Sequence, residues 1–225
     1  MPSTFAWISA GLYAADVAVH LTAVAKKNER LRRITKVMLM PLLALTFVLV
    51  WFCVTQAALP VLVVAGLMMG FLGDTLLLNH HSKIGLPLGL VSFAAGHVLY
   101  IVQIRRAAAP PAWWIMALLA FAYCACVAVM YTRLYPYLPK IFRVPALVYM
   151  LLISALSLSA ASVAIRLLSL GAALLFSGTV LFMISDGILS FETFRSETKS
   201  SHLRVMVPYI AGQTLIASGF LLSLS

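Results

Sequence analysis

Acidic residues are scarce in this 225-residue chain, with six Asp and Glu against sixteen Lys and Arg. Charged residues of both signs make up only 10% of it, well short of the roughly 25% of an average soluble domain. So few polar groups cannot cover the surface of a soluble fold of this size, which excludes a soluble enzyme, a disordered chain and a coiled coil. Cysteine is also scarce. Cys53, Cys124 and Cys126 lie in apolar stretches, no CxxC occurs, and two residues at i, i+2 do not share a helix face. They read as small packing residues. Several hydrolytic signatures are missing: there is no GxSxG, no HExxH, and no Cys–His pair on a shared face. His80-His81 lies in a connector without zinc-ligand spacing and reads as interfacial polarity. No basic motif interleaved with aromatics is present, so the net charge of +10 does not call for a nucleic-acid partner.

Apolar sequence is what the chain has in abundance. Hydrophobic residues are 63% of it and mean hydropathy is +1.04. Stretches of about 20 apolar residues, enough to cross a roughly 30 Å hydrocarbon core, recur at about 4–24, 36–55, 58–79, 84–104, 112–132, 144–164, 167–190 and 205–224. With no water to satisfy a bare backbone, each span should be helical. The prediction is an all-α integral membrane bundle of eight helices in a single domain over 1–225. Span 1 lacks a preceding basic segment and a small-residue cleavage site, so it is expected to be a retained helix rather than a signal peptide. Thirteen Lys and Arg fall in the connectors after spans 1, 3, 5 and 7; three, Arg105, Arg106 and Arg166, fall on the other side. That asymmetry places the basic loops in the cytoplasm and both termini outside. The compact bundle and its basic loops suggest a bacterial inner membrane. Membrane lipids are the expected surroundings, and the basic loops suit anionic head groups.

The six acids then separate by depth. Glu29, Glu192 and Glu197 fall in or beside connectors and read as solvated loop charges. Asp16, Asp74 and Asp186 fall inside spans, where an ionisable side chain is costly and tends to be functional. His20, His97, Tyr100, Tyr149, Tyr209 and Gln213 join them as buried polar groups. Asp74 lies about five residues before the end of span 3 and Asp186 about four before the end of span 7, roughly 6–8 Å below the helix ends. Tyr149 is about five residues into span 6, Gln213 eight or nine into span 8, and His97 about thirteen into span 4. Asp16 is about eight residues from the inner end of span 1 and, with His20 at i, i+4, reads as a structural pair. Polar groups from separate helices thus converge on one level, which predicts a single cavity open to the cytoplasm. Gly66, Gly70 and Gly73 leave one face of span 3 bare, either for close helix packing or for substrate.

An internal echo ties the two deep acids together. Leu72-Gly73-Asp74-Thr75-Leu76-Leu77 resembles Ile184-Ser185-Asp186-Gly187-Ile188-Leu189, and Ala95-Gly96-His97-Val98-Leu99 resembles Ala211-Gly212-Gln213-Thr214-Leu215. The offsets are 112 and 116 residues, about half the chain, as expected of two parallel four-helix repeats. Such a repeat would set Asp74 and Asp186 on opposite walls of the cavity. A carboxyl kept from water beside a second carboxyl holds its proton at neutral pH. One Asp then serves as general acid and the other as base or charge stabiliser, a division suited to acid-labile C–O bonds that break through an oxocarbenium ion.

Gly66 to Leu78 around Asp74, and Gly89 to Ile101 around His97 and Tyr100, resemble the YhhN-type lysoplasmalogenase family. So do Thr35-Lys36 with Pro41, Tyr149, Gly171 to Phe176 leading to Ser185-Asp186, and Tyr209 with Gln213. The matches run in order from span 2 to span 8; span 1 carries none. The resemblance implies an eight-helix membrane hydrolase that cleaves the vinyl ether of a lysophospholipid taken from the bilayer. Its products are a fatty aldehyde and glycerophosphocholine or glycerophosphoethanolamine. Asp74 or Asp186 would protonate the β-carbon, and the other carboxylate would stabilise the cation and activate water. His97, Tyr149 and Gln213 would orient water or the glycerol oxygens, with Tyr100, Ser185 and Tyr209 in the same binding set. Lys36 would either meet the substrate phosphate or serve as a topology charge. The alkenyl chain would enter sideways from the bilayer, and no metal or organic cofactor is called for. The rivals are a small-molecule or proton-coupled transporter, a zinc-dependent lipid hydrolase, and a non-catalytic assembly protein.

Overall fold

A computed structural model of the chain describes residues 4–78, 84–107, 109–195 and 202–224. His80, His81, Lys83, Glu197 and Lys199 lie outside the described residues. Eight helices account for nearly all of the rest: α1 (Thr4–Ala25), α2 (Glu29–Val54), α3 (Val61–Leu77), α4 (Gly85–Ala107), α5 (Trp113–Leu134), α6 (Lys140–Leu167), α7 (Leu170–Arg195) and α8 (Leu203–Leu224). No strand occurs among the described residues. Seven of these helices are long and apolar enough to cross a membrane, and α3 is a shorter apolar helix of 17 residues, roughly 25 Å long. The chain is an all-α integral membrane protein.

Several helices outrun their apolar stretches. The extension of α2 back to Glu29 matters most. Asn28 caps it, its side-chain oxygen accepting from the backbone N–H of Leu31 at 3.1 Å, so the helix starts in the basic connector rather than at residue 36. Such a cap satisfies one of the orphan N–H groups of the first turn. Lys36 therefore stands two turns inside a helix. Similarly, α7 runs on to Arg195 and includes Glu192.

The chain divides into two compact units. The first runs to Gln103 and takes in the chain from Phe220 onward; the second is Ile104–Gly219. Leu39, Met40, Trp51, Val63 and Leu67 are fully buried in the first unit. There the indole N–H of Trp51 donates to the Ala57 carbonyl at 3.0 Å. The second unit buries Leu156, Leu175, Phe182 and Ile216. It also buries Ser154, Ser157, Ser159 and Ser162 along α6, small polar groups that let helices approach closely and bond across the gap. Thr179 and Tyr123 both reach Ser157, at 3.2 and 2.7 Å. Cys124 and Cys126 are exposed on α5 rather than packed in a core, which corrects the sequence expectation for them.

The echo between the halves is built into three dimensions. In the first unit a Cβ on Gly96 would stand 3.1 Å from the Gly66 carbonyl; in the second, a Cβ on Gly212 would stand 2.9 Å from that of Gly178. Gly66 faces the Tyr100 ring, and its counterpart Gly178 faces Ile216. Gly73 meets Gly89, and their counterparts Ser185 and Val205 are joined by a hydrogen bond of 2.9 Å from the Ser185 hydroxyl. Each pair reproduces the offsets of 112 and 116 residues, so each unit contains the same glycine-mediated helix crossing.

The crossing in the second unit tolerates little. A Cβ at Gly178 would sit 2.7 Å from both the Gly212 carbonyl and the Ile216 backbone nitrogen. Backbone atoms cannot rotate aside, so Gly178→Ala is expected to cost about 1–3 kcal/mol or more. Thermal unfolding in detergent checks this, with Gly11→Ala as control because nothing lies within 4 Å of that position.

Candidate active site

In the first unit, α3 carries Asp74 one turn before its end, at 2% exposure. Lys36 reaches it from α2, with Nζ 3.3 Å from Oδ1 and a side chain only 13% exposed. A buried carboxylate left alone would cost several kcal/mol, and the ammonium offsets that cost. The substrate phosphate and a topology charge were the two roles expected of Lys36. Its position beside Asp74 follows from the early start of α2, which hydropathy does not report.

His97 and Tyr100 are both buried on α4. The Tyr100 ring lies against Phe220, with centroids 5.7 Å apart, and covers the space left by Gly66. The Phe93 ring covers Gly73 in the same way. Of the two readings of the glycine face, close packing is therefore the one realised at Gly66 and Gly73.

His20, fully buried on α1, places Nδ1 2.8 Å from the Thr35 hydroxyl of α2. The Thr35 hydroxyl in turn lies 2.8 Å from the Leu31 carbonyl. This cross-helix bond replaces the expected pairing of His20 with Asp16. Asp16 is half-buried and, among the described residues, its Oδ2 has no hydrogen-bond partner.

In the second unit, α7 carries Asp186 at 9% exposure, and the Tyr149 hydroxyl of α6 donates to its Oδ2. Ser185, beside it, gives its hydroxyl to the Val205 carbonyl of α8. Tyr209 is buried with its ring 5.5 Å from that of Phe182, and Gln213 is buried one turn further along α8. Asp186 and Tyr149 form part of the wall of a cavity of about 330 Å³ lined by α5, α6 and α7. Apart from these two, Ser154, Ser190 and Cys126, its lining is hydrocarbon, thioether and aromatic, including Met130, Met150, Ile153, Met183 and Phe191.

The two carboxylates are thus treated alike. Each is held by a side chain from the preceding helix, Lys36 for Asp74 and Tyr149 for Asp186. The spacing between those partners, 113 residues, follows that of the acids. Among the described residues no three His, Cys, Asp or Glu side chains gather as metal ligands do.

Residues 31–220, from the first turns of α2 into α8, match the sequence model of the YhhN family. No curated protein matches the chain, and no solved structure does.

Proposed function

The chain belongs to the YhhN family, and on that premise we propose that it is a lysoplasmalogenase, a membrane-embedded hydrolase of the vinyl ether bond. The observation that carries this reading is the Asp186 carboxyl, buried, hydrogen-bonded by Tyr149, and facing an apolar cavity inside a spanning bundle. Vinyl ether hydrolysis begins with a slow proton transfer to the β-carbon. That step needs an acid held against hydrocarbon, which is what the cavity wall offers. Asp186 gives up the proton, and the resulting oxocarbenium ion is neutralised by the carboxylate left behind. Water adds to the α-carbon as the carboxylate takes a proton back, and the hemiacetal collapses to aldehyde and alcohol. Tyr149 fixes the orientation of the carboxyl. Asp74, fixed by Lys36, is proposed as the second essential carboxylate. His97, Tyr100, Ser185, Tyr209 and Gln213 are proposed as the supporting polar set.

The proposed substrate is a lysoplasmalogen from the surrounding lipid, and the products are a fatty aldehyde and a glycerophosphodiester. We also propose a bacterial inner membrane, with the basic connectors in the cytoplasm. Exposed Trp7 at the start of α1, and Trp113 and Trp114 at the start of α5, suit one interface of such an arrangement.

The deciding experiment compares purified protein on a lysoplasmalogen and on its ester analogue, with and without chelator. Aldehyde from the vinyl ether, with no fatty acid from the ester and no effect of chelator, is the expected result. Fatty acid release that chelator abolishes and zinc restores would replace this reading with the zinc hydrolase. The repeated crossing, with an Asp at the same place in each half, also suits a carrier. Flux into liposomes without covalent turnover would favour that second reading.

A further inference from the structure

The cavity beside Asp186 has a shape as well as a lining. Its α7 wall runs from Met183 to Phe191, about 12 Å at 1.5 Å per residue. Two wall residues, Ile184 at 46% exposure and Cys126, also reach the outer surface of the helices. In a spanning segment that surface faces lipid. The slot is therefore lipid-facing and apolar, and its wall includes a carboxyl and a phenol. Three of its walls are methionines, Met130, Met150 and Met183, unbranched side chains that adapt to a flexible ligand.

Gly187 keeps the slot open. A Cβ there would stand 3.1 Å from the terminal methyl of Met130, so any larger side chain would take up cavity volume. The equivalent position in the first unit is Thr75, an exposed residue whose hydroxyl is turned back onto the Phe71 carbonyl at 2.8 Å. The repeat is broken at the residue following the Asp, on the side where the cavity lies.

We infer that the slot between α5, α6 and α7 holds the aliphatic chain of a single-chain membrane lipid next to its scissile bond, and that Gly187 and Met130 set how much chain it accepts. This rests on the proposed role of Asp186 and adds a specificity determinant to it. Two measurements separate the inference from that role. The first is aldehyde release from alkenyl glycerophosphocholines carrying propenyl or dodecenyl chains. Wild-type kcat/KM should rise as the chain lengthens. Gly187→Leu should cut it roughly tenfold more for dodecenyl than for propenyl, on protein whose thermal unfolding in detergent matches wild type. The second is photolabelling of the wild-type protein by a lysophosphocholine bearing a diazirine on its chain, which needs no turnover. Adducts on Met130, Met150, Ile153 or Met183 are expected. An equal loss for both substrates in Gly187→Leu, or adducts confined to residues outside the slot, would overturn the inference. If no chain length releases aldehyde but the slot is labelled, the proposed reaction fails and the chain site stands.

Discussion

Asp186→Asn is expected to lower aldehyde release by about two to four powers of ten, the range that a positioned proton donor contributes, with the protein still folded. Asn keeps the shape of Asp and can still accept from the Tyr149 hydroxyl, so the α6–α7 contact survives. What it loses is the acidic proton. Protonation of the vinyl ether β-carbon is the step that requires it, and bulk water has poor access to a side chain that is 9% exposed. Tyr149→Phe should have a smaller effect, because it releases the carboxyl from its orientation without removing the proton. Both are read as initial rates of aldehyde formation, on protein whose thermal unfolding in detergent matches wild type. Full activity in a folded Asp186→Asn protein would remove Asp186 from the reaction.

Lys36→Met should have the largest effect on stability. It leaves the Asp74 carboxylate, 3% exposed in its side chain, without the ammonium 3.3 Å away. Breaking a buried pair by removing one partner typically costs about 3–5 kcal/mol, because the remaining charge is stranded. Asp74→Leu strands the ammonium instead, although the lysine stem lets its charge move toward water and softens the loss. The double variant Lys36→Met/Asp74→Leu removes both charges together and should recover most of the stability lost by Lys36→Met alone. A double-mutant cycle by denaturant titration in detergent reads the coupling directly. Additive losses would mean that the two side chains do not form a coupled pair.

These expectations differ in how much of them the sequence already held. The spans were legible because transfer of a helix into lipid depends on the composition of that segment alone. No water is present to satisfy a bare backbone, so twenty apolar residues have one stable choice. Asp74 and Asp186 were legible for the same reason, as charges where hydrocarbon was expected, and the 112-residue echo marked them as equivalent. The boundaries were less so, since a helix end depends on capping rather than hydropathy. At α2 the Asn28 cap moved the start far enough to bring Lys36 inside.

The choice of partner was not legible at all. Whether Lys36 meets a phosphate or Asp74, whether His20 takes Asp16 or Thr35, and whether Gly66 shelters substrate or the Tyr100 ring depend on how each helix is rotated against its neighbour. Close contacts between residues far apart in the chain set that rotation, and hydropathy averaged along a span does not record it. The slot beside Asp186 is the furthest from the sequence. It is lined by residues of three helices, with Gly187 contributing no side chain to it, and empty volume is a property of the packed assembly rather than of any one segment. By itself, then, the sequence determined a membrane-spanning all-α chain and its pair of improbable carboxylates, through single-helix energetics. Tertiary packing alone decided what holds each carboxylate and that Asp186 stands in the wall of an apolar cavity.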